Sequence, residues 1–148
     1  MDLSKYKLNR ELNSTKFEFI SEGLNGNIEK IVIYEPVAIE NGELFNLCFG
    51  DKNPLTGELD DTVNSNNGDR NKVLATVAFT VYLFTDVYKD AVIAMKGNTD
   101  VRTRLYQIAI NTYYDEIKKD FSILGLLDDD WVIFEKNVNY LGFLMKRK

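Results

Sequence analysis

The spacing of apolar residues changes along the chain from that of a β-strand to that of an α-helix, which restricts the possible folds. Polar and aromatic residues alternate over residues 16–19, as in a half-buried strand. Asn25 and Gly26 have the residue types of a tight hairpin turn, and a β-branched segment follows them. A similar dipeptide at residues 41–42 precedes the apolar residues 44–49. This first third of the chain therefore predicts three antiparallel strands.

Helical spacing begins after the first third of the chain. Apolar residues recur at helical intervals over residues 72–88, and a second helix is predicted over residues 101–119. Further strands are predicted over residues 91–95, 121–125, 131–134 and 140–145. The sequence thus predicts an α+β fold with a mainly antiparallel sheet and two principal helices packed on one face. The predicted order is βββ-α-β-α-β(β), in a single domain of residues 1–148.

The composition argues against many kinds of enzyme. The chain has no histidine and a single cysteine, Cys48, so it cannot build a Ser-His-Asp or Cys-His arrangement, a disulfide or an ordinary zinc site. Acid–base catalysis would have to use carboxylates, lysine or tyrosine. No cofactor is expected, and a non-catalytic role is favoured over an enzymatic one.

Charge and hydropathy restrict the partners and the location. A formal net charge of −5 argues against non-specific binding of nucleic acid, because neutralising phosphates needs an excess of cations. No apolar run is long enough for a signal peptide or a membrane span, so no membrane partner is expected. The predicted location is the cytoplasm.

A long polar connection over residues 50–71 is the first candidate region for function, because loops of this length inside a domain are uncommon. Its carboxylates could offer oxygen ligands to a hard cation, but their spacing does not match a calcium loop. We therefore predict a solvated loop and no metal site. The acidic residues concerned are Asp51, Asp60, Asp61 and Asp69.

A glycine turn between a predicted strand and the second predicted helix is the other candidate region. Backbone N–H groups and the helix dipole would converge there on one point, which favours an anion. The residues that could bind a phosphate or carboxylate are Asn98, Thr99, Arg102 and Arg104. Helical spacing puts Arg104 on the apolar face with Val101 and Ile108. A structural alternative is that Arg104 pairs with one of the four aspartates of the polar connection.

Three ordered motifs carry a resemblance to a known family. They are FxLxFGD at residues 45–51, NNGDxxKVLATV at residues 66–77 and GxTxxRTRLY at residues 97–106. On these motifs the chain resembles a family of small bacterial single-domain proteins of unknown function. The resemblance covers nearly the whole chain after residue 16 and implies a cytoplasmic protein of bacterial origin. It implies no activity and no catalytic residue.

Two functions are compatible with these features. The first is a non-catalytic interaction or regulatory module that binds a protein partner, favoured because histidine and any recognisable nucleophile–base pair are absent. The alternative is an enzyme or binding protein that acts on a phosphate-containing ligand, a nucleotide or RNA. It would use the Gly-Asn-Thr turn and the adjacent arginines.

Overall fold

A computed structural model describes residues 5–11, 15–38, 43–60, 66–97 and 99–148. The described residues of ranges 1–34 and 48–87 form one compact unit, and those of ranges 35–47 and 88–148 form the other. The elements, in chain order, are β1 (Asn9–Arg10), β2 (Lys16–Gly23), β3 (Gly26–Val37), β4 (Leu44–Lys52), β5 (Leu59–Asp60), α1 (Arg70–Val87), β6 (Val92–Met95), α2 (Asp100–Asp120), β7 (Phe121–Leu127), β8 (Asp130–Ile133) and β9 (Phe143–Arg147).

The first unit is built on the β2–β3 hairpin. Strand β2 pairs antiparallel with both β1 and β3, and β5 pairs antiparallel with the end of β4. The hairpin turns at Leu24 and Asn25, and Gly26 follows at a φ of 84°, where a side chain would be strained. Phe17 and Phe19 lie on the buried face of β2. The Asn-Gly signal therefore predicted this hairpin correctly.

The many β-branched residues of α1 lower its intrinsic helix propensity, so the helix depends on burial for its stability. Tyr34 of β3 stacks on Phe84 of the helix with ring centroids 4.1 Å apart, and its hydroxyl lies 2.8 Å from that of Thr80. The hydroxyls of the buried Thr76 and Thr85 donate to helix carbonyls four residues earlier. These polar groups are thereby satisfied inside an apolar interface.

The second unit is a sheet packed against α2. The first residues of β4 pair parallel with β6, while β6, β9, β7 and β8 follow one another in antiparallel pairs. Helix α2 contacts β7 along a buried face that includes Tyr106, Ile110 and Ile117. Gly125 of β7 leaves room for the ring of Tyr140, which a Cβ there would strike.

The fold class is confirmed: two helices accompany a mostly antiparallel open sheet, in the expected chain order. The polar connection is shorter than expected, since β4 runs to Lys52 and β5 occupies Leu59–Asp60. The last strand begins at Phe143, later than the predicted start at residue 140, and the N–H of Tyr140 donates to the side chain of Gln107.

Two expectations stay predictions. The hairpin at residues 41–42 lies outside the described residues, and the single-domain organisation stays a prediction. Within the described part of the chain, neither helix combines the length and the apolar character that a membrane crossing needs.

Candidate functional site

The glycine turn before α2 is closed by its own side chains. Thr99 caps the helix, and its hydroxyl accepts the N–H of Arg102 at 3.2 Å. The hydroxyl of Thr103 accepts the N–H of Gly97 at 3.0 Å. Asn98 lies outside the described residues. Because helix-start groups are already bonded here, the Thr99 hydroxyl serves the fold.

The two arginines of the turn differ in burial. Arg102 is buried and packs against Gly97, where a Cβ would overlap the side chain of Arg102. Arg104 is exposed, so the expectation that it shares the apolar face was wrong. The buried stripe of α2 runs through Arg102 and Tyr106, and a residue two positions from Arg102 points about 200° away around the axis. Anion binding at this turn stays a prediction.

The first aspartate of the polar connection forms a buried ion pair. A carboxylate oxygen of Asp51 lies 2.5 Å from the Lys30 ammonium, and the two side chains are 14% and 8% exposed. The ammonium also lies 6.0 Å from the ring centroid of Phe49. Asp60 faces Asp51 across the β4–β5 pair, and Asp61 lies outside the described residues.

Asp69 joins two other elements just before α1 begins. Its carboxylate accepts hydrogen bonds from the hydroxyls of Ser21, at 2.5 Å, and Tyr6, at 2.6 Å. Burial, and then the hydrogen bond to Asp69, raises the pKa of Tyr6 above the usual value for tyrosine. The phenol therefore keeps its proton and donates a hydrogen bond to the carboxylate.

Asn67 completes this arrangement, and we call Tyr6, Ser21, Asn67 and Asp69 the polar cluster. The Asn67 amide donates to the Ser21 hydroxyl at 3.0 Å and to the carbonyl of Gly26 at 2.9 Å. Its side-chain oxygen accepts the N–H of Asn25 at 2.6 Å. The NNGD motif thus fastens the β2–β3 hairpin and the N-terminal residues to the start of α1.

The polar cluster is satisfied internally. Across the described ranges, every buried side-chain nitrogen or oxygen has a hydrogen-bond partner. No group of three or more carboxylates and thiols in that part of the chain could hold a metal ion. The hydrogen bonds of the cluster join Tyr6 and Ser21 to the residues just before α1, so the cluster acts as a structural clamp. Pairing of the loop aspartates with Arg102 or Arg104 stays a prediction.

Sequence reasoning predicted a strand over residues 131–134 but missed that strand β8 is an exposed edge. Among the strands that the structure describes, it pairs with β7 alone and ends the sheet. All of its residues are exposed, and Ile133 and Trp131 keep 79% and 46% of their surfaces accessible. The apolar run predicted a strand, but periodicity cannot distinguish an edge strand from a buried one.

The outer edge of β8 presents main-chain groups that no strand among the described residues pairs with. Leu127 and Asp130 flank a two-residue turn, so they form a hydrogen-bonded pair. From there along the hairpin, hydrogen-bonded pairs alternate with pairs that share no hydrogen bond. The Phe134 N–H donates to the Ile123 carbonyl, which agrees with this alternation. The N–H and C=O groups of Trp131 and Ile133 consequently point away from β7.

An acidic turn stands at the start of this edge. Asp128, Asp129 and Asp130 are all exposed, and Asp128 adopts a φ of 54°, which Asp tolerates better than most residues. Within the described residues none of the three forms an ion pair. The sequence signal was visible as an acidic turn followed by Trp-Val-Ile. It indicated a turn and a strand, not a binding surface.

Comparison with known proteins gives a family but no function. No curated protein and no solved structure matches the chain. One family model does match, over nearly the whole length, and its description is a family of unknown function. This bears out the resemblance to such a family, while the shared motifs and the bacterial origin stay predictions. With residues 2–148 matched, the chain belongs to the family of unknown function DUF6934.

Proposed function

We propose that this protein is a non-catalytic interaction module that binds a protein partner by strand addition at β8. The observation that carries the proposal is the exposure of Trp131 and Ile133 on a strand whose outer main-chain groups are unpaired within the described residues. An added strand would take its affinity from those main-chain groups and its specificity from the alternate side chains.

The character of the edge supports this proposal. Natural sheets protect their edges with charges, proline or covering segments, because an apolar edge invites pairing with another chain. Strand β8 has one charged residue, Asp130, at its first position, and three large apolar residues follow it. Such an edge is costly to keep unless a partner covers it.

The internal bonding of the other polar groups also supports a non-catalytic role. The carboxylates and hydroxyls that could perform acid–base chemistry in the polar cluster are bonded to one another, with Asp69 accepting from both Ser21 and Tyr6. Strand addition needs none of them. A bacterial and cytoplasmic setting stays a prediction that rests on the resemblance.

Affinity purification from native-host extract tests the proposal with three versions of the full chain: wild type, Ile133→Lys and Leu55→Lys. Leu55 is 94% exposed and lies in the turn after β4, so it is a matched apolar control in the other unit. We expect one stoichiometric partner with the wild type and with Leu55→Lys, and its loss with Ile133→Lys. Equal recovery with all three, or no stoichiometric partner with any, would refute the proposal.

A further inference from the structure

We infer that the segment that pairs with β8 runs antiparallel to it and carries basic residues at its own C-terminal end. This inference rests on the proposed function and adds the chemistry and direction of the partner. It is carried by the position of the acidic turn, Asp128 to Asp130, at one end of the exposed edge.

Charge complementarity gives the partner its basic residues. Three exposed carboxylates stand together, and the whole chain has a net charge of −5, so the field at this end of β8 is negative. A cation on an incoming segment is attracted there, whereas an acidic residue is repelled. The apolar Trp131 and Ile133 require apolar or β-branched residues at alternate positions of the same segment.

The place of the basic residues follows from the direction of the added strand. In an antiparallel pair, the residues opposite the N-terminal end of β8 belong to the C-terminal end of its partner. The acidic turn comprises the two residues before β8 and the first residue of β8, so the basic residues come last in the segment. Antiparallel addition is also the commoner and slightly stronger form of strand pairing.

A second copy of this chain gains no net charge attraction at this edge. The outward groups of Trp131 and Ile133 would pair best if Trp131 of one copy faced Ile133 of the other. That register sets Asp129 opposite the exposed Glu135 of the second copy and Asp128 opposite the exposed Lys136, each twice in a symmetric dimer. The repulsive and the attractive pairs offset each other, so a segment with basic residues opposite the acidic turn is favoured over self-association.

Trp131 provides the readout, because it is the single tryptophan of the chain and lies on β8. We would follow its fluorescence while titrating the full chain with synthetic peptides of alternating valine and threonine. One carries lysines at its C-terminus, a second carries them at its N-terminus, a third has C-terminal glutamates and a fourth is uncharged. We expect the C-terminal lysine peptide to bind roughly fivefold to tenfold more tightly than the others at low salt.

A variant of the turn separates charge from strand pairing. In Asp128→Asn/Asp129→Asn/Asp130→Asn the advantage of the lysine peptide should disappear, while the uncharged peptide binds as before. Asn tolerates the positive φ of position 128, so the turn should survive the substitution. Raising the ionic strength should reduce the same advantage in the wild type.

The outcomes separate this inference from the proposed function. If no peptide binds, strand addition at β8 fails and both proposals fall. If the peptides bind equally well, or the N-terminal lysine peptide binds best, β8 remains a docking edge but the inferred chemistry or direction is wrong. Concentration-dependent self-association in sedimentation, abolished by Ile133→Lys, would identify a second copy as the occupant and overturn the inference.

Discussion

The buried polar groups of the first unit and the edge strand of the second unit differ in whether their hydrogen-bonding groups find partners among the described residues. Tyr6 and Ser21 both donate to Asp69, and Lys30 donates to Asp51, so these groups have their hydrogen-bond partners inside the protein. Strand β8 presents main-chain groups and apolar side chains at the surface. Polar residues in recognisable motifs hold the fold together, while the surface suited to binding lies in a segment outside those motifs.

This difference predicts opposite results of substitution. Changes in the buried polar groups should lower the free energy of unfolding, because a desolvated group loses its partner. Changes on β8 should leave the free energy of unfolding unchanged and affect binding alone. If substitutions in the two regions changed the free energy of unfolding alike, this comparison would be wrong.

The largest expected effect follows from breaking the buried ion pair. Asp51→Ala leaves the Lys30 ammonium buried without its carboxylate, and we expect a loss of about 3 kcal/mol in urea denaturation. The control is Lys52→Ala, which removes a half-exposed partner of Glu18 and should cost less than about 1 kcal/mol. Replacing both members, as in Lys30→Met/Asp51→Leu, should recover most of the loss. Similar losses for Asp51→Ala and Lys52→Ala would contradict burial of the pair.

A somewhat smaller loss is expected in the polar cluster. Asp69→Ala removes the acceptor of the Ser21 and Tyr6 hydroxyls, so we expect about 2 kcal/mol of destabilisation. Glu29→Ala, at an exposed position on β3, is the matched carboxylate control and should be near neutral. Chemical denaturation measures both. Equal stability of the two variants would mean that the cluster does not clamp the fold.

Local sequence signals predicted much of the fold because the responsible residues act locally. The Asn25-Gly26 dipeptide fixed one hairpin, and helical spacing fixed α1 and α2 to within a few residues. The partners of Asp69 could not be predicted in this way. Ser21 and Tyr6 are distant from it in sequence, and only the pairing of β2 with β3 and the course of the N-terminal residues bring them together.

The arginine turn shows the limit of periodicity at a helix start. Placing Arg104 on the apolar face relied on Val101 and Ile108, but Val101 is 59% exposed and Ile108 is only partly buried. The buried stripe passes through Arg102 instead. Apolar residues outside the buried stripe were enough to misplace the apolar face, because the first turn of a helix has few residues to define it.

That correction leads to a prediction of intermediate size. Arg102→Ala should destabilise the fold by about 1 to 2 kcal/mol, because a buried side chain and its interactions are lost. Arg104→Ala should stay within about 0.5 kcal/mol of the wild type, because the side chain is exposed. Thermal and urea denaturation of the two variants provide the measurement. A larger loss from Arg104 than from Arg102 would restore the original assignment of the apolar face.

The smallest expected effect on stability is that of Ile133→Lys, which contrasts the edge strand with the buried residue that follows it. The side chain is 79% exposed at the sheet edge, so its replacement should change the free energy of unfolding by no more than about 0.5 kcal/mol. Phe134→Ala, one residue later, is the contrasting variant: Phe134 is buried beside Tyr140, and its loss should cost about 3 kcal/mol. Urea denaturation of both variants measures how sharply burial changes at the end of β8. If Ile133→Lys destabilises the fold as strongly as Phe134→Ala, β8 is covered within the chain itself, and the edge is not open for a partner.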